Sequence, residues 1–429
     1  MYAVCSAVYR CPFLVRLRGF QKLTPIENAL QLLFDNLRIK RLNHVTIPLH
    51  EALNRVLAED IIAEEDIPRF DRSAVDGYAV KAEDTFEASQ FKPKTLRIID
   101  EDEVGEKQAK QVWTGNPIPK GANAVVMLEN ANRIDSKIEV WTSVTPSENI
   151  SKKGEDIQKG EVAVKAGTRL RPQHLGLIAA LGIGEVKVVE KPKIAILATG
   201  NELVERGSKR RKDQIFEVNR LILSASCREL DAEPVDLGLA KDDVEEILGK
   251  IKKGFDKADI IITTGGTSVG VSDRVPEAVN RVGRPGVIVH GIAMRPAMPT
   301  ALAVADGKPI IILSGNPVAA IIGFEVFARP LICRMLGLEK EERRLTVKAK
   351  ITRRVSTVLG RKTFVRVRVL QRFGEFFAEP ISARGSGIIS TMTKANGYVV
   401  VPENREGLEE GEAVSVYLFD NVEVVDENV

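Results

Sequence analysis

Between residues 192 and 338 the chain alternates apolar runs with helical patterns, and no other feature constrains its fold as strongly. The runs "KIAILAT", "PVDLGLA", "DIIITT" and "PIIILS" are mainly apolar, as strands covered on both faces must be. Between and after them lie "NRLILSASCREL", "DDVEEILGKIKKG", "RVPEAVNRV" and "PVAAIIGFEVFARPLICRML", which carry helical periodicity. Such alternation predicts a parallel sheet with helices on both faces, a doubly wound domain. Its ligand is expected outside the carboxyl ends of the strands.

The remaining chain is organised differently. Its 429 residues are too many for one core, and roughly 100 to 200 residues per domain predicts three or four domains. We expect residues 1–19 to form a disordered extension, because "MYAVCSAVYRCPFLVRLRGF" is broken by Arg10, Pro12, Arg16 and Arg18 and is unlike a signal peptide. Residues 20–60 and 150–191 form a linking domain. It opens on an amphipathic helix in "LTPIENALQLLFDNL", with Thr24 as cap, Pro25 in the first turn and Glu27 completing a capping box; the segment at 150–191 is expected to pack back on it. Residues 61–149 are β-rich, 192–338 are the doubly wound domain, and 339–429 return to strands such as "TFVRVRVLQ" and predict a small C-terminal β-barrel.

Charge and cysteine content narrow the class of function. With 62 Lys and Arg against 59 Asp and Glu the net charge is only +3, which supplies no field for nucleic acid. No apolar run approaches the roughly 18 residues that span a bilayer, so no membrane partner is expected. Cys5, Cys11, Cys227 and Cys333 show no metal-ligand spacing, and a reducing, cytoplasmic setting follows.

The segment "ADIIITTGGTSVGVSD" places a strand directly before glycines and hydroxyls. Gly265, Gly266 and Gly270 let the backbone approach a ligand closely, while Thr264, Thr267 and Ser268 add donors. A second strand ends at Ser314 and Gly315, followed by Asn316 as cap and Pro317 in the first helical turn. Two such loops at neighbouring strand ends point to an anion. Neither has the spacing of a Walker A loop or of a dinucleotide fingerprint. Glu202, Asp242 and Asp273 lie near these loops in sequence, and carboxylates beside phosphates call for a bridging hard cation such as Mg²⁺. Asp242 in "DDVE" equally suits a helix cap.

Six stretches together resemble the molybdopterin molybdenumtransferases, the MoeA family, which includes the C-terminal domain of gephyrin. They are "FDRSAVDGYAV" (70–80), "TGNPIPKGANAVVMLE" (114–129), "KKGEDI" (152–157), "ATGNEL" (198–203), "TTGGTSVGVSD" (263–273) and "SGNPVAA" (314–320). The resemblance implies a multidomain α/β plus β fold: a MogA-like doubly wound domain, a β-rich inserted domain, an elongated linking domain and a C-terminal barrel. It further implies a homodimer whose cleft lies between the doubly wound domain of one subunit and the β-rich domain of the other. The implied activity is insertion of molybdate or tungstate into adenylylated molybdopterin with release of AMP, assisted by Mg²⁺. Contacts with the adenylyltransferase and with apo-molybdoenzymes are implied as well.

By the same resemblance Asp76, Thr114, Asp156, Glu202, Asp242 and Asp273 match residues important for activity, with Glu202, Asp242 and Asp273 as metal ligands. Arg295, Arg366 and Ser386 match positions that hold the nucleotide or the oxyanion. Read from the residues alone, Asp76 before Gly77 also suits a turn, Arg366 in "FVRVRV" a solvated strand face, and Ser386 a plain loop. The chain departs from the family at Gly291, Arg295, Ala297 and Met298, where Lys, Lys, Gly and Lys are common. It departs again at Ser314, which replaces a proline, and at Lys152 and Lys153, which replace arginines. Two other readings stay open: a molybdopterin adenylyltransferase, whose single domain resembles residues 192–338, and a dimeric peptide-binding scaffold.

Overall fold

The computed structural model describes residues 22–37, 41–267, 274–338, 344–382 and 385–425. It separates into two compact units, Val45–Val188 and a second that combines Met1–His44 with Val189–Val429. Among the described residues no helix is long and apolar enough to cross a membrane. The expected extension, with Cys5 and Cys11, lies outside the described residues.

The Val45–Val188 unit is built on a six-stranded sheet in the order Ala124–Met127, Gly77–Val80, Gln108–Val112, Lys94–Ile99, Lys137–Val140, Ala131–Ile134. Only the pairing of Lys94–Ile99 with Gln108–Val112 is parallel. One face buries Tyr78, Val80, Leu96, Val126 and Ile138, which supplies the apolar half of an alternating pattern. Lys152 and Lys153 are drawn into surface ion pairs with Asp71 (2.9 Å) and Asp66 (3.4 Å).

The second unit contains the doubly wound sheet, ordered Glu233–Ala240, Lys193–Thr199, Ile260–Thr264, Lys308–Leu313, Ala301–Ala305, Pro285–His290. The first four strands are parallel, as the alternation predicts; Ala301–Ala305 runs against them and pairs antiparallel with both its neighbours. The reason is local. Asp306 and Gly307 both take positive φ (47° and 86°), and a two-residue Asp-Gly turn of this kind folds the chain straight back into a hairpin. The buried face carries Ala195, Leu197, Ile261, Ile310 and Ile312, against which Ile247 and Ile251 of the Val244–Phe255 helix pack.

The first helix, Ile26–Asn36, buries Ile26, Ala29 and Leu33, but Thr24 does not cap it. The Thr24 backbone is committed elsewhere: its N–H donates to the Gly291 carbonyl and its carbonyl accepts from Ala293 N–H, both at about 3 Å. Glu27 turns to Lys362 rather than closing a capping box. The helix packs on Ala301–Ala305 and Pro285–His290. At the C-terminus, Lys362–Arg372, Glu375–Ser382, Thr346–Ile351, Ala413–Leu418 and Gly397–Val401 pair in a closed circuit, a five-stranded barrel filled by Val365, Val367, Val399 and Val416.

Candidate functional site

Three strands of the doubly wound sheet end level with one another, because Ala198 is in register with Thr264 and Thr264 with Leu313. Their following loops are therefore neighbours. Gly265 has φ 93°, and a Cβ there would sit 2.2 Å from the Thr199 carbonyl oxygen, so only glycine fits. Gly265 N–H donates to the Leu313 carbonyl (3.1 Å), and Thr264 Oγ1 donates to that of Ser314 (3.1 Å). Asn219, at the start of the Asn219–Glu229 helix, donates from Nδ2 to Thr264 Oγ1 and to the Gly315 carbonyl, each at 2.8 Å. One buried amide thus ties both glycine loops together. Sequence reasoning treated it only as a helix start, because its partners lie 45 and 96 residues away along the chain.

Glu202, Asp242, Gly265, Gly266, Thr267, Ser314, Gly315 and Asn316 all line one cleft of about 590 Å³. Thr264 and Thr267 spend hydroxyl protons on the protein itself, Thr267 on the Pro299 carbonyl. Asn316 holds the cap position of Pro317–Gly323 but makes no side-chain cap bond. The helix-cap reading of Asp242 is overturned: Asp243 caps Val244–Phe255, accepting from Glu246 N–H at 2.8 Å. Asp242 instead exchanges hydrogen bonds with Asn201, which fixes the loop carrying Glu202. Among the described residues no group of three or more His, Cys, Asp or Glu is placed to hold a metal. Glu202 and Asp242, lining one cleft with the glycine loops, are the donor type that Mg²⁺ takes, one or two carboxylates with the rest of its shell from other oxygens and water.

A second cavity, about 330 Å³, adjoins the first through Pro299, Ser314 and Asn316. Arg295, Arg366 and Ser386 line it, as does Arg361, which sequence reasoning missed although it lies five residues before Arg366. The solvated-face reading of Arg366 fails: the residue is 2% exposed. Arg368, on the same face of the strand, is the solvated one and pairs with Glu423. Strand alternation assigns the face; it does not say which part of that face is covered. Burial, and then the charge of Arg295, push the Arg366 guanidinium below its ordinary pKa. Two like charges beside one cavity are what a bound anion would relieve. Ala297, where the family commonly has glycine, keeps a left-handed backbone (φ 76°).

In the other unit Thr114 donates from both N and Oγ1 to Asp76 Oδ1, at 2.7 and 2.8 Å. These two bonds, the backbone one first, hold the Asp76 carboxyl below its usual pKa. Asp156 is exposed and lines a separate cavity of about 560 Å³ with Arg72 and Glu155. Ser268, Gly270 and Asp273 lie outside the described residues.

Comparison with known proteins accounts for this layout. Residues 24–182 match the MoeA N-terminal region (domains I and II), residues 195–334 a probable molybdopterin binding domain, and residues 348–419 the MoeA C-terminal region (domain IV). The chain belongs to the MoeA family. A Methanocaldococcus jannaschii relative named for molybdopterin biosynthesis is 39% identical over 412 residues, covering 93% of this chain and 99% of the relative. The molybdopterin molybdenumtransferase of Bacillus subtilis is 36% identical, covering 87% of this chain and 89% of the relative. The crystal structure of the MoeA protein of Pyrococcus horikoshii superposes with a TM-score of 0.80 at 36% identity, covering 93% of this chain and 100% of that one. Within the MoeA framework both cavities fall in the second unit: the first is formed largely by the binding-domain match, and the second joins that match to the C-terminal region.

Proposed function

We infer that this protein is a molybdopterin molybdenumtransferase of molybdenum cofactor biosynthesis, inserting an oxyanion metal into adenylylated molybdopterin with release of AMP. The adjacency of the two cavities carries the reading. A backbone cradle suited to phosphates shares Ser314 and Asn316 with an arginine-lined pocket suited to a tetrahedral dianion. In this reading the amides of Gly265 to Thr267 take the substrate phosphates. Arg295, Arg361 and Arg366 grip molybdate or tungstate, a fork suited to pairs of oxygens, with the Ser386 hydroxyl beside them. Glu202 and Asp242 would hold Mg²⁺, joined by Asp273; when bound it neutralises charge on the phosphoanhydride.

The homodimer, the roles of Asp76, Thr114 and Asp156, a cytoplasmic location and contacts with the adenylyltransferase and apo-molybdoenzymes belong to the same proposal. The test uses purified protein with adenylylated molybdopterin and Mg²⁺, with or without molybdate. Oxyanion-dependent AMP release is expected, and AMP release indifferent to the oxyanion would overturn the reading. Consumption of ATP with unmodified molybdopterin would instead mark an adenylyltransferase. Cofactor production unimpaired in cells carrying Asp76→Asn with Glu202→Gln would favour a scaffold. Replacing molybdate by tungstate in the first assay decides the oxyanion preference.

A further inference from the structure

One element of the cleft is absorbed neither by the phosphate cradle nor by the arginine pocket. Leu203–Val204 and Ile215–Phe216 pair as a short ribbon at the cleft mouth, and the intervening loop carries four consecutive exposed cations, Lys209 to Lys212. The base of this loop is firmly held. Arg220, 4% exposed, reaches Glu205 (2.6 Å), Asp236 (2.7 Å) and Glu217 (3.2 Å), and Ile215 N–H donates to the Glu202 carbonyl at 2.9 Å.

Phe216 lies on this fixed base and lines the cleft while remaining 40% exposed. Among the described lining residues it is the only aromatic one. The Arg210 guanidinium stands 5.3 Å from its ring centroid, within range of a cation–π contact. An exposed ring on a pinned ribbon beside a phosphate cradle loses apolar burial unless a flat ligand covers it. Purine rings stack on such side chains.

We propose that Phe216 is the stacking platform for the adenine ring of the substrate. Arg210 covers one face of the phenyl ring, and the base takes the other. The basic loop draws the phosphate-bearing ligand toward the cleft. This rests on the reading of the cleft as a nucleotide site, and it adds the residue that holds the base.

Calorimetric titration of the full chain in Mg²⁺ at fixed ionic strength, with AMP and with ribose 5-phosphate, tests it. Phe216→Ala should weaken AMP binding about tenfold and leave ribose 5-phosphate unchanged, while Phe216→Trp should retain AMP affinity. Unchanged AMP affinity in Phe216→Ala overturns the proposal, as does an equal loss for both ligands, which would mean a displaced ribbon. If the wild-type chain binds neither ligand, the nucleotide reading of the cleft fails and the stacking role with it.

Discussion

The two adjoining cavities are built by different means. The cradle at Gly265 to Thr267 is made of main chain, held by the Asn219 amide and by bonds between the two loops. The neighbouring pocket is made of side chains, with Arg295 from the Met294–Met298 segment and Arg361 and Arg366 from the barrel side. A main-chain site fails with a single methyl group, because its geometry is its chemistry. A side-chain site can change its charge while keeping its shape. Of the departures from the family pattern, Ala297 and Met298 line the second pocket, and the backbone at Ala297 is left-handed.

The largest expected effect is at Gly265. Its replacement by alanine drives Cβ against the Thr199 carbonyl in a left-handed backbone and should cost about 3 kcal/mol of stability or more. At Gly315 a Cβ finds its nearest neighbour at 3.5 Å, ordinary contact distance, so Gly315→Ala should cost under about 1 kcal/mol. Urea unfolding of the pair checks both; equal losses would break the distinction between a strained cradle and its looser partner.

Asn219→Ala removes two bonds from the tie between the loops and should cost about 2 kcal/mol, with phosphate affinity falling alongside. A variant that loses stability yet keeps phosphate affinity would show that the cradle holds its shape without Asn219.

Arg366→Met tests the charge-built pocket. Removing a buried cation that lines the pocket beside Arg295 should lower oxyanion affinity by calorimetry about tenfold or more. A fall in stability with unchanged affinity would reverse the argument.

The smallest effect is in the other unit. Thr114→Val deletes the hydroxyl bond to Asp76 but keeps the backbone one. The Asp76 pKa, now lowered, should rise partway toward its ordinary value in an NMR titration. A folded pKa below the unfolded one contributes stability above the unfolded pKa and loses it as pH falls through the folded value. The variant should therefore lose that contribution at a higher pH than the wild type.

Much of the fold was legible because it is local. Apolar runs at 193–199, 260–264 and 308–313 specify strands buried on both faces, and glycine after Thr264 specifies a loop whose backbone comes too close to the Thr199 carbonyl for any side chain. The antiparallel edge was missed, since the alternation alone predicts a parallel sheet, although the Asp306-Gly307 turn that folds the chain back is local. Other features depended on distant partners. Asp243 rather than Asp242 caps its helix because Asp242 is held by Asn201, forty-one residues earlier in the chain. Thr24 gave up its cap to a pairing with Gly291 and Ala293.

The sequence by itself determined which segments are strands and helices, where the backbone must be bare, and which acids and bases lie near those places along the chain. Only the tertiary structure decided that Arg366 is buried while Arg368 is solvated, that Arg361 joins it, and that one asparagine holds both loops. Periodicity reports which side chains share a face. What covers that face comes from chain remote in sequence, and burial is settled only when the two meet.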